Sequence, residues 1–406
     1  MRYLVLLLLV LSLPLDAQEA GVSNTLIRLG TVVDLSGEQQ AQGRSLRAGL
    51  EAALLERRTQ GRLIELVIAD HRSYGDRTPD LVRQLREREI FALIGVLGTA
   101  SVHATLPISD DDLLLIGAVS GSERLRHNTT TTNVINFRAS YAQEIETLVQ
   151  TALDAGLQAS ELCLLIQDDD YGLAGLHSLI ARFAPRAAAN APRRALEAVL
   201  NADVPLLERN GLGPVGIYPR HTERVREAYE SLKRWEDSQD TECRLVIAAG
   251  HAAPIAAFIA YSRYKEQTWW VSALASTGTT ALQAALRTFG IHEGVLHTQV
   301  VPSVNAPLPV VAQARQALGP ALDPMALEGY IVGRLFLAVA DAVEGPLTRA
   351  NFLAVARGRL FSLDGLMLDF SQNNQGSDLV SLHYLQQSEF RATDANRLRQ
   401  LLQAQN

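Results

Sequence analysis

Cysteine is nearly missing from this chain, with two in 406 residues, which excludes both a zinc ribbon and a disulfide-built scaffold. Tryptophan and methionine occur three times each and aromatics together reach only 6%, a poor platform for stacking nucleic-acid bases. Positive charge is not in excess: 37 Lys+Arg against 44 Asp+Glu leave a formal charge of −7. Neither nucleic acid nor an anionic membrane therefore finds a basic face. No linker is rich in Pro, Gly or Ser, and no period of about 20 to 50 residues repeats. What is present is core material: 47% of the residues are apolar, too many for general disorder. At roughly 150 residues per domain, the length corresponds to two or three compact units.

Met1 to Ala17 read MRYLVLLLLVLSLPLDA, with one Arg, an apolar run from Tyr3 to Leu13, then Pro14 and a small residue. This is the pattern of a secretory signal, expected to be cleaved after Ala17 despite the large Leu15 three places before the cut. The run is about 11 residues where roughly 20 are needed to span a bilayer, so a membrane anchor is not expected. No Cys follows the run to accept a lipid. The expected location is the periplasm, an oxidising compartment in which Cys163 and Cys243 could pair.

Short apolar runs alternate with amphipathic stretches along the rest of the chain. Strands are expected at Leu26–Val33, Leu63–Ala69, Ala92–Leu97, Leu113–Ala118, Leu162–Gln167, Val215–Tyr218, Arg244–Ala249, Trp269–Ser272 and Val295–Val301. Most are apolar throughout rather than alternating, as parallel strands covered on both faces should be. Ala41–Arg58 sets Leu46, Leu50, Ala53 and Leu54 on one helical stripe, and Pro79–Arg88 and Gln143–Ala155 behave similarly. The alternation predicts α/β units with right-handed crossovers, in two lobes joined by crossing strands. The polar run Asn128–Asn133 reads as a loop.

Four loops sit just after strands, where an open α/β sheet presents ligands to backbone amides: Asp34–Gly37, Gly98–Ser101, Ser120–Ser122 and Asp168–Gly172. Each alone is weak, since strand ends carry turn residues for structural reasons; their recurrence is the signal. Enzymatic patterns are missing. Gly117 stands three residues before Ser120, outside nucleophile-elbow spacing, and no phosphate-cradling glycine loop occurs. His292 and His297 are five apart, unlike paired helical zinc ligands. The acidic runs Asp168–Asp170 and Asp110–Asp112 suit helix caps better than metal. No catalytic residue, metal or cofactor is expected. Cys163 lies early in the first strand of the second lobe and Cys243 just before the third, and those strands are commonly neighbours, so either a disulfide or two buried free cysteines is expected.

Taken together, these loops resemble the type I periplasmic solute-binding proteins of ABC transporters, specifically the branched-chain amino acid (leucine/isoleucine/valine) binding family. The likeness rests on IRLGTVVDLSG at Ile27–Gly37, IFALIGVLGTASVHATLPI at Ile90–Ile108, FRASYAQE at Phe137–Glu144 and DDDYGLAGLHSL at Asp168–Leu179. It continues through YPRHT at Tyr218–Thr222, LVIAAGHAAPIAAFI at Leu245–Ile259, VVPSVNAPLPVV at Val300–Val311, LEGYIVGRLF at Leu327–Phe336 and LDGLMLDFSQNNQGSD at Leu363–Asp378.

The resemblance implies two doubly wound Rossmann-like lobes joined by three crossing segments near Phe137–Tyr141, Val300–Ser303 and Phe361–Leu366. Lobe 1 would comprise 25–138 and 303–361, lobe 2 would comprise 139–302 and 362–390, and 391–406 would be a tail. It also implies a ligand held between lobes that close as a hinge. A ligand carboxylate would meet Thr99 with Ala100 and Ser120 with Gly121. Leu35 and Ser36 would pack over it, and Tyr171 would face it from lobe 2. Gly250, His251 and Ala275 occupy further contact positions. There the chain departs from the family: an acidic partner for the ligand ammonium is expected near Ala273–Ser276, and an aromatic near Ala249–His251, but neither is present. An unpaired buried ammonium is costly, so an α-amino acid is disfavoured unless Asp169 or Asp170 substitutes; an organic acid, aromatic acid or amide fits better. The implied role is capture of a small carboxylate-bearing solute by a monomeric carrier for an ABC permease, with ligand sensing for a receptor partner as the alternative.

Overall fold

The computed structural model describes residues 19–108, 113–126 and 133–405. The signal segment, Asp110–Asp112 and all of the Asn128–Asn133 loop except Asn133 lie outside the described residues. Two sheets organise the chain. The first contains β1 (Leu26–Val33), β2 (Arg58–Thr59), β3 (Arg62–Asp70), β4 (Ala92–Ile94), β5 (Leu114–Ile116) and β6 (Val134–Ile135), in the order β2-β3-β1-β4-β5-β6. All its pairings are parallel except β2 with β3. The second contains β7 (Leu162–Gln167), β8 (Val215–Tyr218), β9 (Leu245–Ala249), β10 (Trp270–Ala273) and β11 (Val295–Gln299), running β11-β10-β9-β7-β8 in parallel. Helices cover both faces, which is why these strands are apolar at consecutive positions: β5, β7, β8 and β9 are buried at every residue.

In lobe 1, helix Gln40–Leu54 packs against helix Pro324–Asp341 almost backbone to backbone. A Cβ on Gly49 would stand 1.9 Å from the Ala326 carbonyl oxygen, and one on Gly329 2.4 Å from that of Leu46. The glycines therefore set the approach of the two helices, and the apolar stripe of the first, Leu46, Leu50, Ala53 and Leu54, is fully buried.

The chain crosses between lobes near residues 137–141 and 300–303. The third crossing differs from expectation. The hairpin of β12 (Leu360–Leu363) and β13 (Leu366–Asp369) buries Phe361, Leu363, Leu368 and Phe370 in the lobe-1 core. Gln375 bridges to Asn136 and the Ser377 N–H donates to the Phe137 carbonyl, so the third crossing lies beyond Ser377 rather than at Phe361–Leu366. The chain then adds β14 (Ser381–Gln386) antiparallel to β11, followed by β15 (Glu389–Ala392). The segment 391–406 is not a loose tail: helix Ala395–Gln405 buries Leu398 and Leu402 in the lobe-2 core. Lobe 1 also begins before residue 25, where Val22 is buried and Glu19 pairs with Arg349 at 3.1 Å.

β14 places His383 directly opposite His297 of β11. His297 is fully buried with neither ring nitrogen hydrogen-bonded, and burial pushes its pKa down to about 3. The unfolded chain therefore binds a proton below about pH 6.5 that the folded chain refuses. Stability should fall by about 1.4 kcal/mol per pH unit from there toward pH 3. In His297→Phe, urea denaturation from pH 7 to 4 should show a flatter acid limb than in wild type; parallel limbs would refute this.

Candidate functional site

The loops around the cleft are held by two carboxylates, the buried Asp34 and the partly exposed Asp70. The Asp34 side chain accepts the backbone N–H groups of Ser36 (3.2 Å), Gly37 and Gln39 (2.9 Å), and the Ser73 hydroxyl. Asp70 accepts from Leu35 N–H at 2.9 Å and from the Ser36 hydroxyl at 2.6 Å. Burial alone would raise the Asp70 pKa, but these donors with Arg72 N–H pull it below the usual range. Leu35 and Ser36 are thereby turned toward Asp70, and neither lines the interlobe cavity.

That cavity lies between the lobes and measures about 20 Å³, room for roughly one water. Lobe 1 lines it with Gln39, His71, Leu97–Ser101 and Val119; Tyr141 enters from the first crossing; lobe 2 adds Asp169, Tyr171, Arg220, His251 and Ser276. Gly98 at φ +94° makes the turn into helix Thr99–Thr105, a conformation that favours glycine. The Thr99 hydroxyl lies 3.0 Å from that of Ser120 and 2.9 Å from that of Tyr141, which donates to the Ser276 hydroxyl at 3.0 Å. A hydroxyl chain thus crosses the cleft.

Of the residues read from sequence as ligand contacts, Thr99, Ala100, Tyr171 and His251 line this cavity. Ser120 sits behind Thr99. Gly121 is covered by the Tyr141 ring, which a Cβ would meet at 2.4 Å. Gly250 abuts the Tyr218 hydroxyl, and its carbonyl accepts from Thr277 at 2.9 Å. Ala275 N–H donates to the buried Glu144 carboxylate at 2.7 Å, so the carboxylate nearest that loop lies beneath it. Sequence reading did not single out Gln39, His71, Leu97, Val119, Tyr141 or Arg220 as contacts, whereas Ser101 and Ser276 lie in stretches it named. Tyr141 and Arg220 were visible within the quoted segments FRASYAQE and YPRHT, but pattern alone gave no sign of where they point.

Histidine–carboxylate pairs close the mouth. Glu38 of lobe 1 reaches His221 Nδ1 at 3.0 Å and His251 Nδ1 at 3.2 Å, both from lobe 2. His103 of lobe 1 lies 3.0 Å from Asp170 of lobe 2, its other nitrogen 2.7 Å from the Ser122 hydroxyl. The hydrogen bond from His251 holds Glu38 below its usual pKa, and that from His103 does the same for Asp170. Both latches should therefore survive acidification to the usual carboxylate range and open only as pH falls below it, through the depressed values. Small-angle scattering should show a constant radius of gyration from pH 7 to 5 and expansion below 4, with Glu38→Gln already expanded at pH 7. A radius independent of both would refute the latch. Among the described residues no group of three or more His, Cys, Asp or Glu could hold a metal, and no helix is long and apolar enough to cross a membrane.

Two doubly wound lobes, three crossings and one shared cleft define the type I periplasmic-binding-protein fold. Residues 26–190 match the model of the family described as periplasmic binding protein. A possible leucine/isoleucine/valine-binding protein from Rhodopirellula baltica SH 1 is 25% identical, with a TM-score of 0.78 over 94% of this chain and 100% of that one. A branched-chain amino acid ABC transporter protein from Thermus thermophilus with bound valine is 13% identical, TM-score 0.69, covering 91% of this chain and 95% of that one. A solute-binding protein of an ABC transporter from R. palustris, in complex with 4-hydroxybenzoate, is 13% identical, TM-score 0.68, covering 91% and 96%. No curated protein matches the sequence. The fold is thus one used by ABC-transporter substrate-binding proteins, for an amino acid in one of these structures and an organic acid in another.

Proposed function

We propose that this protein is an exported, non-enzymatic solute-binding protein. It captures a small carboxylate-bearing ligand between its lobes and, as a monomer in the periplasm, delivers it to an ABC permease. The observation that carries the reading is the interlobe cavity, whose wall is completed only when hydroxyl, imidazole and guanidinium groups from both lobes meet. A ligand touching both walls favours the closed arrangement by its differential contacts, the basis of hinge capture. Valine and 4-hydroxybenzoate in the two structural relatives share a carboxylate, which supports that part of the reading. Lobe 2 offers no acidic side chain at Ala273–Ser276, and Asp169 already accepts three hydrogen bonds, which favours an organic acid over an α-amino acid. The first 17 residues would direct export.

Mass spectrometry of small molecules released on denaturing the purified protein tests the reading, together with titration against amino acids and carboxylates. A bound or binding acid is expected. Tight binding of leucine or valine would overturn the preference for an organic acid, and release of a sugar or a cation would overturn the reading as a whole.

A further inference from the structure

Resting on that reading, we propose that the ligand carboxylate is received by Arg220 together with His71, not by the Thr99 and Ser120 hydroxyls. A hydroxyl carries one proton to donate. Tyr141 gives its proton to Ser276, so the short contact between Tyr141 and Thr99 must be donated by Thr99. With the Thr99 proton committed, the Ser120–Thr99 contact must be donated by Ser120. The only proton left over belongs to Ser276, at the lobe-2 end. The two hydroxyls on the lobe-1 wall are thus spent on the protein itself, and a carboxylate, which only accepts, gains nothing from them.

Two other donor-bearing side chains, Arg220 and His71, line the same cavity. Arg220, two residues beyond β8, sends one terminal nitrogen across the cleft to the Ser73 carbonyl. Its Nε is buried without a hydrogen-bond partner; Asp169 Oδ2 lies 3.5 Å away. Asp169 accepts from Tyr171 N–H at 2.9 Å, Gly172 N–H at 3.1 Å and the Gln167 amide at 2.6 Å. It pairs with the guanidinium at salt-bridge distance without forming a hydrogen bond to Nε. His71, just after β3, is 1% exposed and lines the cavity; the Leu97 backbone gives it a weak contact, and neither ring nitrogen meets full hydrogen-bond geometry. Burial, outweighing Asp34, Asp70 and the Leu97 backbone, lowers its pKa; in the neutral ring one nitrogen donates and the other accepts. A guanidinium and an imidazole N–H on one cavity form a donor pair for a carboxylate, with charge-assisted bonds roughly twice as strong as neutral ones. The second imidazole nitrogen suits a hydroxyl on the same ligand.

The test compares each acid with its own amide, on the full protein, by calorimetric titration: benzoate with benzamide, 4-hydroxybenzoate with its amide, isovalerate with isovaleramide, and any acid released on denaturation. Wild type should prefer the acid by about tenfold or more, the worth of one charge-assisted bond. Arg220→Met should erase that preference, Arg220→Lys should restore part of it, His71→Phe should weaken the acid by about fivefold or more, and Thr99→Val should leave the preference intact. Equal weakening of acid and amide by Arg220→Met would show that Arg220 acts only through its bond to Ser73, and would overturn the inference. So would loss of the preference in Thr99→Val. A protein that binds none of these acids and releases none overturns the carboxylate reading itself, and the inference with it.

Discussion

Replacing Cys163 and Cys243 by alanine should cost about 4 kcal/mol of stability, among the largest effects of any change outside the cleft. The two residues are joined by a disulfide, are buried, and are separated by 80 residues of sequence. Closing a loop of that length removes chain entropy from the unfolded state in proportion to the logarithm of its length, roughly 4 kcal/mol by the loop-entropy model. The site makes the bond geometrically natural. Cys163 pairs in register with Val246 on adjacent β7 and β9, Cys243 lies just before β9, and their Cα atoms are 5.6 Å apart. The bond ties β7 to the entry of the adjacent β9, across a segment holding three α-helices and β8. Urea unfolding of lobe 2, followed by tryptophan emission from Trp235, Trp269 and Trp270, should shift to lower denaturant by the same amount in the double variant and in reduced wild type. Thiol titration of the unfolded, unreduced chain should find no reactive thiol; two per chain would refute the bond, and a double variant as stable as wild type would refute its energetic role.

How this bond was legible in the sequence illustrates what was readable and what was not. The adjacency of the first and third strands of a lobe follows from topology, and the strand positions follow from apolar runs that need burial on both faces; β1, β7 and β8 match the sequence expectation at both ends. The third crossing was misplaced because it was carried over from the family resemblance, and the alternation of Phe361 and Leu363 does not say which lobe's core receives them. β14 and β15 went unread for a similar reason: a two-strand antiparallel addition carries no crossover helix to announce it. At the cleft, loops after strands were legible because strand ends are where an α/β sheet exposes backbone. Side-chain direction was not. Leu35 and Ser36 turn away because Asp70 holds them, and Arg220 turns inward because Asp169 and the Ser73 carbonyl hold it. Both outcomes depend on residues distant in sequence from the ones they orient.

Glu328→Leu should destabilise the protein by about 3–5 kcal/mol, the usual consequence of leaving a buried charge without its partner. Arg138, on the first crossing, is completely buried, and none of its three guanidinium nitrogens has a hydrogen-bond partner. It is held by charge alone. Glu328 from the long lobe-1 helix lies 3.6 Å away, and Glu144 from helix Tyr141–Asp154 of lobe 2 supplies the next attraction. Burial opposes the charge on Arg138, but the two carboxyl groups outweigh it and raise its pKa; burial raises theirs in turn. Removing Glu328 leaves Glu144 as the main compensation, and Glu144 is already bonded to Ala275 N–H and the Thr298 hydroxyl. Replacing both members of the pair, as Arg138→Met with Glu328→Leu, removes the buried charge along with its partner and should recover most of the loss, leaving about 1 kcal/mol or less. Glu144 can then take up a proton, as its raised pKa already favours. Denaturant titrations of the two single variants and the double variant measure this coupling. A double variant as unstable as Glu328→Leu would mean that the side chain fills space rather than balances charge. Because the cluster joins a lobe-1 helix, a lobe-2 helix and the segment that bends between them, the double variant should also change the pH and ligand dependence of closure, while a change elsewhere in either core would alter stability alone.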